Sequence, residues 1–240
     1  MDAIVYRRIP RAKPEILAAL AAFPVADLHE ALGALTGAAQ LMSAGMRPVL
    51  TGARIVGQAI TARNYPGDNL MIHAALNVAE AGDILVLSNG GTPFGALWGD
   101  VATTWARRKD LAGVVADGPV RDTAELRKLN FPVWSTHISP SHPEKRGPGA
   151  VNVPLICGGV RVMPGDFIVA DDDGVLVVPR DLASSAVEAA ARRNQAEAKL
   201  RQAIAEGRSL FELLNIQKLL DQAGIRSEDG CWHDAAQNQR

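Results

Sequence analysis

The side chains best suited to chemistry in this sequence are two aspartates and an arginine at a fixed spacing. Asp100 follows the glycine-rich segment 90–99, and Arg121 and Asp122 follow the apolar run 111–116. Carboxylate oxygens bind hard divalent cations, and a guanidinium group pairs with carboxylate or phosphate anions. Together the three residues favour a site for a divalent cation and an anionic substrate.

The twenty residues between Asp100 and Arg121 fit one helix and one strand. If the strands that precede Asp100 and Arg121 are neighbours in a parallel sheet, both loops open at the same edge of that sheet. The spacing then predicts that Asp100, Arg121 and Asp122 line one crevice.

A structural interpretation competes with this one. The string Asp122-Thr-Ala-Glu125 is a capping-box pattern, in which Asp122 caps the next helix and Glu125 stands at its third position. Asp100 could likewise complement the dipole of the helix that it begins. Each acid taken alone favours the structural interpretation, and the three residues taken together with the glycine-rich segment favour a site.

The segment 90–99, NGGTPFGALWGD in its context, joins an apolar strand to a helix. Glycines 90, 91 and 95 allow a close approach of the backbone to a ligand, and the amides near a helix start favour an anion. It lacks the Lys of a G-x-x-x-x-G-K-[ST] loop and is not G-x-G-x-x-G. A tight strand-to-helix connection is the alternative.

Other polar and aromatic residues have weaker claims. His73, in the apolar helix LMIHAAL, is interpreted as a buried histidine with satisfied hydrogen bonds, and Trp98 and Trp105 are interpreted as packing residues. His137 and His142 have no third metal ligand at short range.

The elements that must position these residues alternate between strands and helices as far as residue 137. A stretch dense in Gly and Pro, with short Val- and Ile-rich runs, then predicts antiparallel strands up to residue 180. We predict an α/β fold over a single domain, residues 1–240. A helical C-terminal arm, residues 181–224, is expected to pack on a neighbouring subunit, and residues 225–240 form a polar tail.

The composition of the chain indicates which partners and which cellular location to expect. Apolar residues make up 48% and the net charge is −1, so no strong field indicates nucleic acid or a membrane surface as a partner. The two cysteines, Cys157 and Cys231, are too far apart in sequence to suggest a C-x-x-C site. No signal peptide or membrane span is recognised, so a cytoplasmic location is expected.

Four blocks in order carry a resemblance to a known family: GDNLMIHAAL, NGGTPFGALWGD, GVVADGPVRD and VPLICGGVRVMPGDFIVADDDGVLVVP. Over roughly residues 20–215 the chain resembles the 4-hydroxy-4-methyl-2-oxoglutarate / 4-carboxy-4-hydroxy-2-oxoadipate aldolases, which share a fold with the regulator of ribonuclease E activity (the RraA-like group). The most specific element is D-x20-R-D, here Asp100, Arg121 and Asp122.

The resemblance implies a β/β/α swivelling-type domain that assembles into trimers or hexamers, and a class II aldolase that uses Mg²⁺ or Mn²⁺. By this analogy Asp122 contacts the metal, Asp100 holds metal-bound waters, and Arg121 faces the substrate's keto oxygen. The backbone amides of Gly95, Ala96, Leu97 and Trp98 are expected to bind the pyruvyl carboxylate.

The resemblance also implies an acidic residue from the C-terminal helix of a neighbouring subunit. Glu197 is the candidate, and Glu188 and Glu206 lie on the same helix. Lys145 and Arg146 are further candidates for contacting the substrate's distal carboxylates.

Three functions remain open at this stage. The first is cleavage of the hydroxy-keto acid to pyruvate, with decarboxylation of oxaloacetate as a side activity through the same enolate. The second is a non-catalytic, protein-binding regulator of the same fold. The third is an enzyme of the fold that acts on a different keto or hydroxy acid, because fold does not determine substrate.

Overall fold

The computed structural model describes residues 3–36 and 40–231. It divides into two compact units, Met1–Arg193 and Asn194–Arg240. The predicted arm boundary at residue 181 and the single-domain organisation stay predictions, and residues 232–240 of the predicted tail lie outside the described range.

The described part of the first unit has eleven strands. Nine form one sheet in the order β1-β7-β3-β4-β5-β6-β2, with β10 paired to β3 and β11, and β8 pairs with β9. In chain order, β1 to β11 are Ile4–Val5, Arg47–Pro48, Ile55–Arg63, Ile84–Ser88, Gly113–Val120, Val133–Ile138, Ala150–Val151, Leu155–Cys157, Val160–Val162, Phe167–Ala170 and Val175–Val178.

The helices of the described chain alternate with the central strands and then dominate the C-terminal part. In chain order, α1 to α8 are Pro14–Leu20, Val25–Thr36, Leu70–Val78, Asp100–Arg108, Thr123–Lys128, Ala183–Ala205, Leu210–Leu213 and Ile216–Gln222. The predicted α/β class is therefore confirmed.

The centre of the sheet is parallel and buried on both faces. Strand β4 pairs in parallel with β3 and with β5, and β5 pairs in parallel with β6. Leu85 and Leu87 pack with helices α3, α4 and α5, whereas Ile84 and Val86 pack with β8 and β9 on the opposite face. This two-sided burial explains why β4 reads as a continuous apolar run rather than an alternating one.

The predicted antiparallel region is confirmed in β10 and β11, which are antiparallel to each other and joined at the Asp171–Gly174 turn. Their side chains pack against α1, α2 and the start of α6. The carboxylate of Asp171 accepts a hydrogen bond of 2.9 Å from the backbone nitrogen of Val25, the first residue of α2. From the sequence, Asp27 is expected to cap a helix that Gly37 ends; Asp27 instead lies in the first turn of α2, and Gly37 lies outside the described residues.

The sequence suggests a surface turn that begins at residue 117, but residues 117–120 belong to β5 and are largely buried. The pairing of β5 with β6 shifts register between Ala116 and Pro119. Gly118 lies inside this irregularity with φ +154°, a conformation that glycine adopts without the Cβ clash of other residues. The strand therefore continues to Val120, and Arg121 is the first residue after it.

The second unit comprises the rest of α6 together with α7 and α8. The sequence after Gly207 predicts one amphipathic segment, but the structure divides it at Asn215, whose φ is +52°. Within the described residues, no single helix has the length and apolar composition to cross a membrane. Only the bent pair Pro14–Leu20 and Val25–Gly33, at 103°, passes by combined length and composition, and Leu20 of that pair is fully buried in the core.

Candidate active site

The site is built where β4 and β5 end. These strands are parallel neighbours, with Ser88 opposite Asp117, so the chain leaves both at the same edge of the sheet. The strands that precede Asp100 and Arg121 are therefore parallel neighbours, as the predicted crevice requires. Because β5 extends to Val120, it passes the end of β4 and reaches the returning glycine-rich loop.

The loop comes back alongside the end of β5 and pairs with it. Trp98 forms a parallel bridge with Val120. The backbone nitrogen of Arg121 donates to the carbonyl oxygen of Trp98 at 3.0 Å, and that of Leu97 donates to Pro119 at 2.7 Å. This pairing fixes the start of α4 beside Arg121, because Gly99 and Asp100 follow directly.

The three predicted residues meet at this point. The Oδ2 atom of Asp122 lies 3.3 Å from the backbone nitrogen of Asp100 and 3.3 Å from Nε of Arg121. A Cβ atom on Gly99 would lie 2.6 Å from the same oxygen, so a glycine is needed for this approach. The side chains of Arg121 and Asp122 are 37% and 34% exposed, and a ligand can reach them.

Asp122 does not cap its own helix. It precedes α5 with φ +58°, in the left-handed region, and its carboxylate makes no capping hydrogen bond to α5. The capping-box interpretation is therefore wrong: the left-handed backbone turns the side chain toward α4. A non-glycine residue in that region costs of order 1 kcal/mol, and such residues concentrate at functional sites.

A cavity of about 450 Å³ is lined by Asp100 and Arg121, and Asp122, which contacts both residues, is not part of its lining. Its wall is formed by the start of α4, one face of α3 and the loop that follows β6. The polar and charged residues among those that line it are Asn69, His73, Asn77, Asp100, Arg121, His142 and Lys145. This volume is within the range of small-molecule sites.

The amides predicted to bind a carboxylate are partly engaged already. The backbone nitrogens of Gly95 and Ala96 donate to Oγ and to the carbonyl oxygen of Ser141, at 2.8 and 2.9 Å, and that of Leu97 donates to Pro119. Among the described hydrogen bonds, none uses the amides of Trp98 or Gly99, which also line the cavity. Of the four predicted amides, only that of Trp98 has no described partner, and the amide of Gly99, which was not predicted, joins it; carboxylate binding by the loop stays a prediction.

His73 was interpreted as a buried histidine and Trp105 as a packing residue, and both interpretations are wrong because both side chains are exposed. The helical phase of α3 turns Ile72 and Leu76 into the core and leaves His73 exposed in the cavity wall. Trp105 is 52% exposed in the same wall, whereas Trp98 is 2% exposed and stacks on Phe131 as a packing residue should.

The electrostatic setting of the cavity keeps His73 neutral. Partial burial, and then the nearby ammonium group of Lys145, lower the pKa of His73 below its ordinary value, while Asp68 acts in the opposite direction. At neutral pH the positive charge in the cavity wall therefore comes from Arg121 and Lys145, on different elements.

The donor set suits a hard divalent cation. Asp100 and Asp122 offer carboxylate oxygens, and no described contact uses Oδ1 of Asp122. In the described part of the chain, no three His, Cys, Asp or Glu side chains form a cluster for a metal. Such an ion would therefore take most of its ligands from water, substrate or a partner subunit, as Mg²⁺ commonly does.

The acids proposed from the C-terminal helix make contacts with other residues of the same chain segment. On α6, Glu197 pairs with Arg201 at 3.0 Å and Glu188 pairs with Arg192 at 3.9 Å. Glu206 accepts a hydrogen bond from Gln202 at 3.0 Å, just beyond the end of that helix. The role of a partner's glutamate stays a prediction. His137 and His142 likewise belong to no metal cluster among the described residues.

Comparison with known proteins gives a consistent assignment. Residues 25–177 match the RraA-like family, described as Aldolase/RraA. A putative 4-hydroxy-4-methyl-2-oxoglutarate aldolase of Halalkalibacterium halodurans is 34% identical over 75% of this chain and 83% of its own. The 4-hydroxy-4-methyl-2-oxoglutarate aldolase of Thermus thermophilus is 39% identical over 53% of this chain and 77% of its own.

The solved structures include a regulator-type relative. The crystal structure of Streptomyces coelicolor RraAS2 is described as an unusual member of the RNase ES inhibitor RraA protein family. It superimposes with a TM-score of 0.75 at 32% identity, over 81% of this chain and 99% of that one.

Proposed function

Because the chain belongs to the RraA-like family, we propose that it is a divalent-metal-dependent class II aldolase. Its substrate in this proposal is 4-hydroxy-4-methyl-2-oxoglutarate or 4-carboxy-4-hydroxy-2-oxoadipate, cleaved to pyruvate and a second keto acid. The observation that carries the proposal is the convergence of Asp100, Arg121 and Asp122 at the rim of a cavity. The relatives named as aldolases support it.

Asp122 and Asp100 are the residues that would hold Mg²⁺ or Mn²⁺. When bound, the ion acts as a Lewis acid on the carboxylate and keto oxygens of the substrate. Arg121 places a fixed positive charge where the enolate oxygen develops, which lowers the barrier because the charge is already oriented. The amides of Trp98 and Gly99 are placed to bind the pyruvyl carboxylate.

The reaction breaks the C3–C4 bond. The proton of the C4 hydroxyl passes to Asp100 through a water molecule, and the C4 oxygen becomes the carbonyl of the departing keto acid. The bonding electrons remain on C3 as the enolate of pyruvate, which takes up a proton to complete the product. Decarboxylation of oxaloacetate forms the same enolate, so we propose it as a side activity.

Lys145, in the loop after β6, and Arg121, directly after β5, both line the cavity. A substrate whose pyruvyl end lies at Arg121 would therefore present its distal carboxylate to Lys145, as an ion pair inside a cavity. We further propose that the enzyme acts as a trimer or hexamer, in which Glu197 of a neighbouring copy completes the site.

A coupled assay tests the proposal. The protein is mixed with Mg²⁺ and either 4-hydroxy-4-methyl-2-oxoglutarate or oxaloacetate, and pyruvate is followed through lactate dehydrogenase. Pyruvate formation that depends on the metal is the expected result. Absence of turnover on both substrates would favour a non-catalytic regulator, the function that the Streptomyces coelicolor relative's description suggests.

A further inference from the structure

Asp68 is a buried carboxylate that the proposed mechanism does not use. It lies just before α3, is only 2% exposed, and does not line the cavity. We propose that Asp68 is a positioning residue, which clamps the loop 144–147 so that Lys145 meets the distal carboxylate of a dicarboxylate substrate. This inference rests on the proposed aldolase function and adds a determinant of its substrate class.

The clamp consists of hydrogen bonds from three backbone amides to one carboxylate. Oδ2 of Asp68 accepts from the nitrogens of Arg146 and Gly147 at 2.5 and 2.8 Å. Oδ1 accepts from the nitrogen of Leu70, the first residue of α3, at 2.7 Å. One side chain therefore ties the loop that carries Lys145 to the helix that carries His73.

Backbone hydrogen bonds also hold Glu144, the residue that precedes Lys145. The nitrogen of Glu144 donates to the carbonyl oxygen of Gly67 at 2.9 Å, and the nitrogen of Asn69 donates to Glu144 at 3.0 Å. The backbone of Lys145 is thus held between two fixed neighbours, Glu144 and Arg146.

The loop also packs without slack. A Cβ atom on Gly147 would lie 2.4 Å from Cβ of Tyr65 and 3.2 Å from Cβ of Asp68. Packing this close limits how far Gly147 can move away from Asp68. Loss of the carboxylate would remove the acceptor of two partly buried amides, those of Arg146 and Gly147, and loosen the loop.

The side chain of Lys145, whose backbone is held in this way, lies in the wall of the cavity. It lines the cavity together with His73 and Arg121, and among the described residues it forms no ion pair. Its charge is felt at His73, whose pKa it lowers. An unpaired ammonium group in a cavity wall suits a carboxylate of the ligand, and the wall places it apart from the pyruvyl end.

The test compares Asp68→Asn with a matched control, Asp166→Asn. Asp166 is also buried, at 6% exposed, and accepts amide hydrogen bonds from Met163 and Arg180 at 2.9 and 3.2 Å, away from the cavity. Both variants lose a buried loop-holding carboxylate, but only one affects the Lys145 loop.

Two reactions distinguish a loss of the position of Lys145 from a general loss of activity. Cleavage of 4-hydroxy-4-methyl-2-oxoglutarate needs the distal contact, whereas exchange of the pyruvate methyl protons with D₂O, followed by NMR, needs only the enolate. We expect Asp68→Asn to raise the KM for cleavage about tenfold and to change the exchange rate less than about threefold. Asp166→Asn should give no such split.

A double-mutant cycle and amide exchange complete the experiment. In a Lys145→Met background, Asp68→Asn should change the KM by less than about twofold, because the contact it positions is already gone. Hydrogen exchange at Arg146 and Gly147 should accelerate in Asp68→Asn and stay as in wild type in Asp166→Asn.

Equal KM increases in the two aspartate variants, additive effects in the cycle, or unchanged exchange at Arg146 and Gly147 would each overturn the inference. If the wild-type protein makes no pyruvate from either substrate, the aldolase proposal fails and the substrate contact of Lys145 fails with it. The amide-exchange measurement still decides in that case whether Asp68 holds the loop.

Discussion

Asp122 Oδ2 lies 3.3 Å from the backbone nitrogen of Asp100, so the residue before one helix contacts the first residue of another. The contact joins the two loops that leave β4 and β5, and the Nε atom of Arg121 approaches the same oxygen at 3.3 Å. One carboxylate thus orients the guanidinium and the start of α4, while its second oxygen has no described partner.

Replacement of Arg121 by Ala should lower kcat for pyruvate formation by about 10²–10³-fold, because the charge that stabilises the enolate is removed. Arg121→Lys should recover little of the loss, since a point charge cannot reproduce the planar guanidinium held against Asp122. Arg107→Ala is the matched control, because Arg107 is exposed in the last turn of α4 and does not line the cavity. Steady-state kinetics with circular dichroism make the measurement, and equal losses in both alanine variants would contradict it.

Asp122→Asn should separate stability from activity. The backbone of Asp122 is left-handed, and asparagine tolerates that conformation at least as well as aspartate. Its ion pair with Arg121 is partly exposed and contributes little to folding. We therefore expect the free energy of unfolding in urea to change by less than about 0.5 kcal/mol. Titration with Mg²⁺ should show at least tenfold weaker activation, about 1.4 kcal/mol.

Much of this site follows from the sequence because its spacing is local. A strand, a loop and a helix repeated twice place Asp100 and Arg121 at one edge whenever the two strands are parallel neighbours, as they are here. The apolar run of β4 also marks a strand buried on both faces. These features depend on periodicity and topology, which a single sequence carries.

The conformation of single residues could not be predicted in the same way. The string that begins at Asp122 matches a capping box, yet a left-handed φ turns its carboxylate to the neighbouring helix. The bulge at Gly118 extends β5 into an assumed turn. His73 lies in an apolar segment, but the phase of α3 decides its exposure. Each outcome depends on tertiary contacts that local sequence does not encode.

Gly99→Ala should damage the site without straining the backbone. The φ of Gly99 is −165°, which any residue adopts, so the obstacle is steric: the new Cβ atom would lie 2.6 Å from Oδ2 of Asp122 and 3.3 Å from Cγ of Arg121. The carboxylate must move, and a displacement near 1 Å at a reacting centre costs about 10²-fold in kcat/KM.

Gly33→Ala is the control for that substitution. Gly33 lies in α2, and nothing in the described structure lies within 4 Å of its added Cβ. It should stabilise the protein by about 0.5–1 kcal/mol through helix propensity and leave kcat/KM unchanged. A kcat/KM for Gly99→Ala equal to that of the control would show that the position of Asp122 does not matter for turnover.

Removal of divalent metal should abolish turnover and preserve the fold. Asp100 and Asp122 lie at the rim of the cavity rather than in the core, so no buried group depends on an ion for folding. After treatment with EDTA, pyruvate formation should stop and the far-ultraviolet circular dichroism should remain. Addition of Mg²⁺ or Mn²⁺ should restore activity, and full activity in the presence of EDTA would refute metal dependence.

The stability of the protein at acid pH should depend on two buried aspartates, Asp68 and Asp166. Ionisation of the first should stabilise the fold, and ionisation of the second should destabilise it. Burial alone raises the pKa of Asp68, but hydrogen bonds from Leu70, Gly147 and Arg146 outweigh it, and the net pKa lies below the ordinary value. The stabilisation from Asp68 is therefore complete above the unfolded pKa and is lost as pH falls through the folded pKa. Burial raises the pKa of Asp166, so its ionised form weakens the fold, and that cost disappears as pH falls.

Urea unfolding of wild type, Asp68→Asn and Asp166→Asn between about pH 6 and about pH 3 measures this difference. The stability lost in Asp68→Asn should shrink toward low pH, because wild type loses the same contribution there. The difference between wild type and Asp166→Asn should change in wild type's favour over the same range, because protonation relieves the buried charge only in wild type. Parallel curves for all three proteins would mean that neither carboxylate is coupled to folding through its proton. Curves of the same sign would contradict the assignment: a shared trend toward wild type at low pH would mean that burial dominates at Asp68, and a shared trend toward the variants would mean that hydrogen bonds dominate at Asp166.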